Sequence, residues 1–293
     1  MVLLTAALIG ANFSILKLAL DHSTPLLVAG MRTVLGGTFL LSFSILKGER
    51  FPRDPTLLRN IFVVGFSITT VSSGLLVLGV NRVSAGLGSL VASTMPLFTA
   101  VLAFVMLRQK TTAMSRMGLT VGFIGAAVLA TPSLGGQSAA IGIATLVFSA
   151  IAWAFGTVYM KWQDFSAVSA TMLVGVQLIM SAAILIPLAL IVEGTSDTEF
   201  TLDLLYPLLY AGIPANAGTF SLMAAIVKRA TPTVAASVAY LIPLFGVFFS
   251  WAISGEVLGL VEAIGGLLVV GGVYLVVTAN ARAAASQATV APR

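Results

Sequence analysis

Met95-Pro96-Leu97-Phe98 recurs as Ile242-Pro243-Leu244-Phe245, 147 positions later. At the same offset, without a gap, Arg82 falls on Arg229, Val91-Ala92 on Val238-Ala239, Gly118 on Gly265 and Gly125 on Gly272. Eight identities between Asn81 and Ala130 mark two copies of one unit. A repeat decides architecture before any motif is read. Both copies are strongly apolar: the 293-residue chain is 58% hydrophobic and 9% charged. Water-facing surfaces need about 25% charged residues, so most of this surface faces lipid.

A bilayer crossing takes roughly 20 apolar residues. Ten segments meet that length, at 2–20, 25–46, 57–79, 85–107, 114–131, 139–160, 167–192, 204–227, 233–253 and 257–278. The first lacks a basic start and a small-residue cleavage site, and reads as a span rather than a signal peptide. In lipid such runs are helices, because every backbone polar group must pair within its own segment. The expected fold is an all-α polytopic membrane protein with ten transmembrane helices. The two repeats occupy 1–132 and 138–280, followed by a tail at 281–293.

The basic residues orient the chain. Lys47, Arg50, Arg53, Arg59, Arg108, Lys110, Arg116, Lys161, Lys228, Arg229, Arg282 and Arg293 fall on the side of the N-terminus. Only Lys17 and Arg82 fall on the other side, and Arg32 lies inside a span. This bias predicts cytoplasmic N- and C-termini in a bacterial inner membrane. Each repeat has five spans, an odd number, so the second copy enters from the opposite side. Two inverted five-helix repeats are an arrangement of transporters that alternate access around a central site.

Composition excludes other classes. The net charge of +5 is spread over short loops, so it is no nucleic-acid footprint, and the chain has no cysteine for disulfides or thiolate metal sites. The one histidine, His22, is in a loop, and all ten acidic residues lie in loops or at span ends. No cluster for metal binding or catalysis is expected, and no cofactor; a membrane-embedded enzyme would need such a cluster.

Several motifs together resemble the EamA family of the drug/metabolite transporter superfamily. They are Asn12-Phe13 with Lys17 in the first span, Pro25 and Arg32 in the second, the Pro96 and Pro243 segments, and Gly118 and Gly265. Trp153 in span six and Glu256 before span ten complete the set. Within the family the chain is most similar to YddG-type bacterial amino-acid exporters. The resemblance covers residues 1 to about 280 and implies a ten-helix exporter of amino acids, metabolites or drugs. The chain departs from the family pattern at Gly10-Ala11, where a tryptophan-glycine pair is common. Gln109 stands in the first half where Glu256 stands in the second.

Pro96 and Pro243 are expected to break spans four and nine near mid-membrane, since proline removes a helical hydrogen bond. Ser89 and Ser93 precede Pro96, and Ser237 and Tyr240 precede Pro243, on the same face. Pro214 is expected to break span eight near Asn216. With Asn12, Ser72, Ser73, Trp153, Thr157 and Tyr210, these residues describe a pocket of hydroxyls, amides and aromatic faces with little charge. It suits neutral or zwitterionic substrates, the aromatic and neutral amino acids among them. Arg32 either snorkels to the nearer interface or holds a substrate carboxylate. Without a carboxylate at the midplane, proton coupling is not expected, although proton-coupled drug or metabolite export stays open. The glycines of spans five and ten suit close packing, inside the bundle or in a dimer. The expected partners are a small-molecule substrate and the bilayer, with the chain a monomer or weak dimer.

Overall fold

The computed structural model describes residues 1–109, 111–131 and 136–290. Lys110, Arg293 and the expected boundary at residue 132 lie outside the described residues. Within them the chain is all-helical. Spans 1 and 2 are Val2–Leu20 and Pro25–Leu46. Span 3 joins the helix Pro55–Gly65 to Ser73–Val80 through the π-helical stretch Phe66–Ser72. Span 4 is Ala85–Ala92 followed by Met95–Leu107; span 5 is Ala113–Ala130; span 6 is Gln137–Trp162 and span 7 is Ala170–Val192. Span 8 joins Leu202–Gly212 to Thr219–Arg229 through a second π stretch, Ile213–Gly218. Span 9 is Pro232–Ala236 followed by Val238–Ser254, and span 10 runs through Leu260–Val290. Among the described residues nine of these, all but span 8, are long and apolar enough to cross a membrane.

The breaks differ from expectation in position. Span 4 is interrupted at Ser93-Thr94, so Pro96 sits in the first turn of the next helix, where its missing N–H costs nothing. Span 9 breaks at Ser237, and its helix continues through Pro243. The two π stretches, by contrast, keep the repeat's register: each begins after a glycine, Gly65 or Gly212, which are again 147 apart. Arg108 and Gly255, also 147 apart, both take left-handed backbone conformations at the ends of spans 4 and 9, with φ of 52° and 65°.

Glycines set the approach of neighbouring spans. A Cβ on Gly30 would lie 2.6 Å from Ile186, one on Gly37 2.9 Å from Ile179, and one on Gly175 2.9 Å from Leu41. Spans 2 and 7 therefore run antiparallel. Spans 5 and 10 do the same, since Gly118 faces Gly272 and Leu275 while Gly125 faces Gly265 and Val269. Their small-residue faces meet each other inside the bundle. Gly86 approaches Ser250 and Ser89 approaches Gly246, so spans 4 and 9 also cross antiparallel. Span 1 packs on spans 8 and 9, and span 6 packs on spans 3 and 4.

Candidate functional site

The polar groups collect in two places. The first is the end of the bundle where spans 1, 4 and 9 meet. A helix leaves its first N–H groups without intrahelical partners, and span 4 has all of its first three satisfied. Ala85 N–H donates to Glu256 Oε2 at 2.8 Å, Gly86 N–H to Ser250 Oγ at 2.9 Å and Leu87 N–H to Ser84 Oγ at 3.2 Å. Lys17 Nζ donates to the other carboxylate oxygen at 3.1 Å, and Ser250 donates to Glu256 Oε2. Partial burial would push the Glu256 carboxyl up, but the bonds from Ser250, Lys17 and Ala85 outweigh it and hold it below its ordinary value. The negative charge also sits favourably at the helix N-terminus. Lys17 and Glu256 are 239 residues apart in sequence, so nothing local announces the pair.

The second place is the interior between spans 2, 3, 6 and 7. Arg32 is 6% exposed, and its Nη2 donates to Ser73 Oγ. A snorkelling arginine would reach the surface; this one is enclosed by protein, which overturns that alternative. Ser72 and Ser149 pair at 3.0 Å, and Ser149 also donates to Ser72 O. Thr69 and Ser181 tie the first π stretch to span 7: Thr69 donates to Gln177 O and Ser181 to Thr69 O. Ser149, Gln177 and Ser181 had no signal in the sequence, because a lone polar residue in an apolar run carries no partner information.

The remaining candidates are dispersed. Ser89 is fully buried and donates to Gly86 O, and Ser93 donates to Ser89 O. Ser237 donates to Val234 O and Thr157 to Trp153 O. These hydroxyls thus satisfy their own helices, as such residues commonly do. Tyr210 donates to Leu8 O at 3.0 Å, joining span 8 to span 1. Tyr240 meets the edge of Tyr274 with ring centroids 5.4 Å apart. Asn12 Oδ1 is buried without a hydrogen-bond partner. Trp153 and Asn216 are partly buried, Asn216 and Pro214 both within the second π stretch. Two surface recesses, of about 540 and 640 Å³, are lined by Arg50, Phe51 and Arg53 and by apolar residues of spans 2 and 8, including Met31 and Leu205. Neither includes a candidate residue.

Apolar helices through the described residues, interrupted by π stretches and breaks and enclosing a buried cation, define a multi-pass membrane protein of the transporter class. The profile of the EamA-like transporter family matches residues 1–131 and again 140–278. The chain belongs to this family. It is 31% identical over 270 residues to the uncharacterized transporter YvbV of Bacillus subtilis, spanning 92% of this chain and 88% of that one. It is 27% identical over 287 residues to a probable amino-acid metabolite efflux pump of Salmonella typhimurium, spanning 93% and 92%. A crystal structure 18% identical in sequence shares the fold, with a TM-score of 0.67 over 97% of both chains.

Proposed function

We propose that the protein is an inner-membrane exporter of neutral or aromatic amino acids, or of related small metabolites. It works by alternating access between two inverted halves, and without proton coupling. The observation that carries this reading is the pairing of equivalent spans. Spans 2 and 7, 4 and 9, and 5 and 10 each pack antiparallel. The contacts of span 1 with spans 8 and 9 are mirrored by those of span 6 with spans 3 and 4. A two-fold exchange of halves 1–132 and 138–280 about an axis in the membrane plane produces this pattern, and such a pair can rock about a shared centre. The Salmonella relative's name supports the substrate class, and the basic bias of the loops on the side of the N-terminus supports cytoplasmic termini.

The resting form is closed at the end where Glu256 ties spans 1, 4 and 9. The π stretches and the breaks at Ser93-Thr94 and Ser237 are the points where spans 3, 4, 8 and 9 bend. Irregular backbone at membrane depth is tolerated where it faces protein or a water-filled path. Flux of radiolabelled amino acids from sided proteoliposomes, with and without an imposed pH gradient, tests the proposal. Efflux down the amino-acid gradient alone is expected. Transport that requires the pH gradient replaces the uncoupled reading with proton-coupled export, and no amino-acid flux at all removes the substrate class.

A further inference from the structure

Arg32 is a full charge in the wrong solvent. It sits seven residues into span 2, about 10 Å from the helix end. The apolar cluster of Leu16, Ala19, Leu26, Val77, Leu185 and Leu204 closes over that end. Its Nη2 donates to a neutral hydroxyl, Ser73 Oγ, and its Nε is buried without a partner. Neither ion pair among the described residues involves it. A buried cation without a counter-charge is strongly unfavourable, whereas a guanidinium facing a carboxylate gains short, charge-assisted and often bidentate bonds. Its surroundings are the mobile parts of the proposed cycle. Ser73 directly follows the first π stretch, and Gly212, which directly precedes the second, lies against the Arg32 carbonyl; a Cβ there would be 2.9 Å away. π stretches occur frequently at functional sites.

We propose that Arg32 receives the carboxylate of the transported molecule. The cargo is then a carboxylate-bearing zwitterion or anion, and an uncharged amide of the same side chain is a poor substitute. This rests on the exporter reading for its transport role, but binding is testable apart from flux. The full chain in detergent is titrated with matched pairs, each neutral amino acid beside its amide, with thermal stabilisation as readout; phenylalanine and phenylalaninamide are the leading pair. Charge-assisted bonds of about 1.5–3 kcal/mol convert to a preference of roughly tenfold or more for the acid. In Arg32→Gln that preference falls to about equality, while Arg32→Lys keeps part of it. If Arg32→Gln does not fold, Arg32→Lys decides: a preference there as large as in the wild type overturns the assignment. Equal stabilisation by acid and amide in the wild type overturns the assignment. So does stabilisation by no acid of the panel, or an unchanged preference in folded Arg32→Gln. Acid-selective binding without amino-acid flux in proteoliposomes leaves Arg32 as an anion receptor and removes the exporter reading instead.

Discussion

A Cβ placed on Gly272 would fall 2.4 Å from the backbone of Gly122, whereas one on its neighbour Gly271 would meet nothing within 4 Å. The two adjacent glycines therefore answer substitution with opposite signs. Gly272→Ala forces spans 5 and 10 apart and is expected to cost about 1–3 kcal/mol, as overpacked cores do. Gly271→Ala should be neutral or stabilising by up to about 1 kcal/mol, because glycine is a poor helix former. Thermal unfolding of the purified chain separates them, and equal effects would refute the close packing. In sequence both read as one small-residue surface, although only Gly272 echoes a glycine, Gly125, across the repeat, while Gly271 echoes Ile124. Glu256 gives a second residue-level outcome. Its carboxyl is held below the ordinary value, so the folded chain binds its proton less readily than the unfolded chain. The stabilisation is complete above the unfolded value of about 4.3 and fades as pH falls through the folded one. Wild-type melting temperature should thus drop more steeply in acid than that of Glu256→Gln. Parallel pH profiles for the two proteins would assign the tie no energetic role.

Among elements, span 4 is held at its first turn by Ser250 of span 9 and by Glu256 just beyond it, which Lys17 of span 1 also holds, and that junction is where access is expected to be controlled. The chain has no cysteine, so one introduced cysteine reports without background. Leu87, 6% exposed and next to the junction, is a suitable position. Labelling of Leu87→Cys by a membrane-impermeant maleimide should be slow in the wild-type background and several-fold faster with Glu256→Ala. An unchanged rate would mean that apolar packing alone closes this end. The helices themselves were readable from hydropathy, with starts shifted by a few residues at caps. Span 3 begins at Pro55 because Asp54 accepts bonds from Thr56 and Leu57 N–H. The π stretches were not readable. An all-apolar span shows no periodicity from which an extra residue per turn could be noticed, and only Pro214 hinted at the one in span 8. The serines beside the prolines had been expected to line a cavity, but sequence cannot tell a hydroxyl bonded to its own helix from one offered to a ligand.

For the whole molecule, the repeat offset exposes an asymmetry between its two ends. Besides Lys17, the junction at Glu256 rests on the acid itself, on Ser250, and on the Ala85 N–H that donates to the acid. Their counterparts 147 positions away are Gln109, Ala103 and Pro232. Pro232 starts the helix of span 9 and has no N–H to be capped. Gln109 brings no charge, and Ala103 no hydroxyl. Thr231 still caps Val234 N–H as Ser84 caps Leu87 N–H, but the N–H that a second carboxylate would cap is absent, and so is the carboxylate. The Lys17–Glu256 end thus carries an ion pair and a carboxylate cap without counterparts at Gln109 and Pro232, and under the proposed cycle this is expected to favour the state closed there. The hydropathy and charge of the sequence displayed the two halves but not this bias, because the three contributors are brought together only by folding. Moving the acid should move the bias. In Gln109→Glu combined with Glu256→Gln, the new carboxylate lies on the side that carries Lys161 at the end of span 6, as Lys17 ends span 1. Maleimide labelling of Leu87→Cys should then rise as it does in Glu256→Ala, while a cysteine at Val238, buried near the opposite end of span 9, becomes slower to label than in the wild type. If both positions keep their wild-type rates, the resting state is set by the apolar clusters, and the charge asymmetry is only a difference in how two helices are capped.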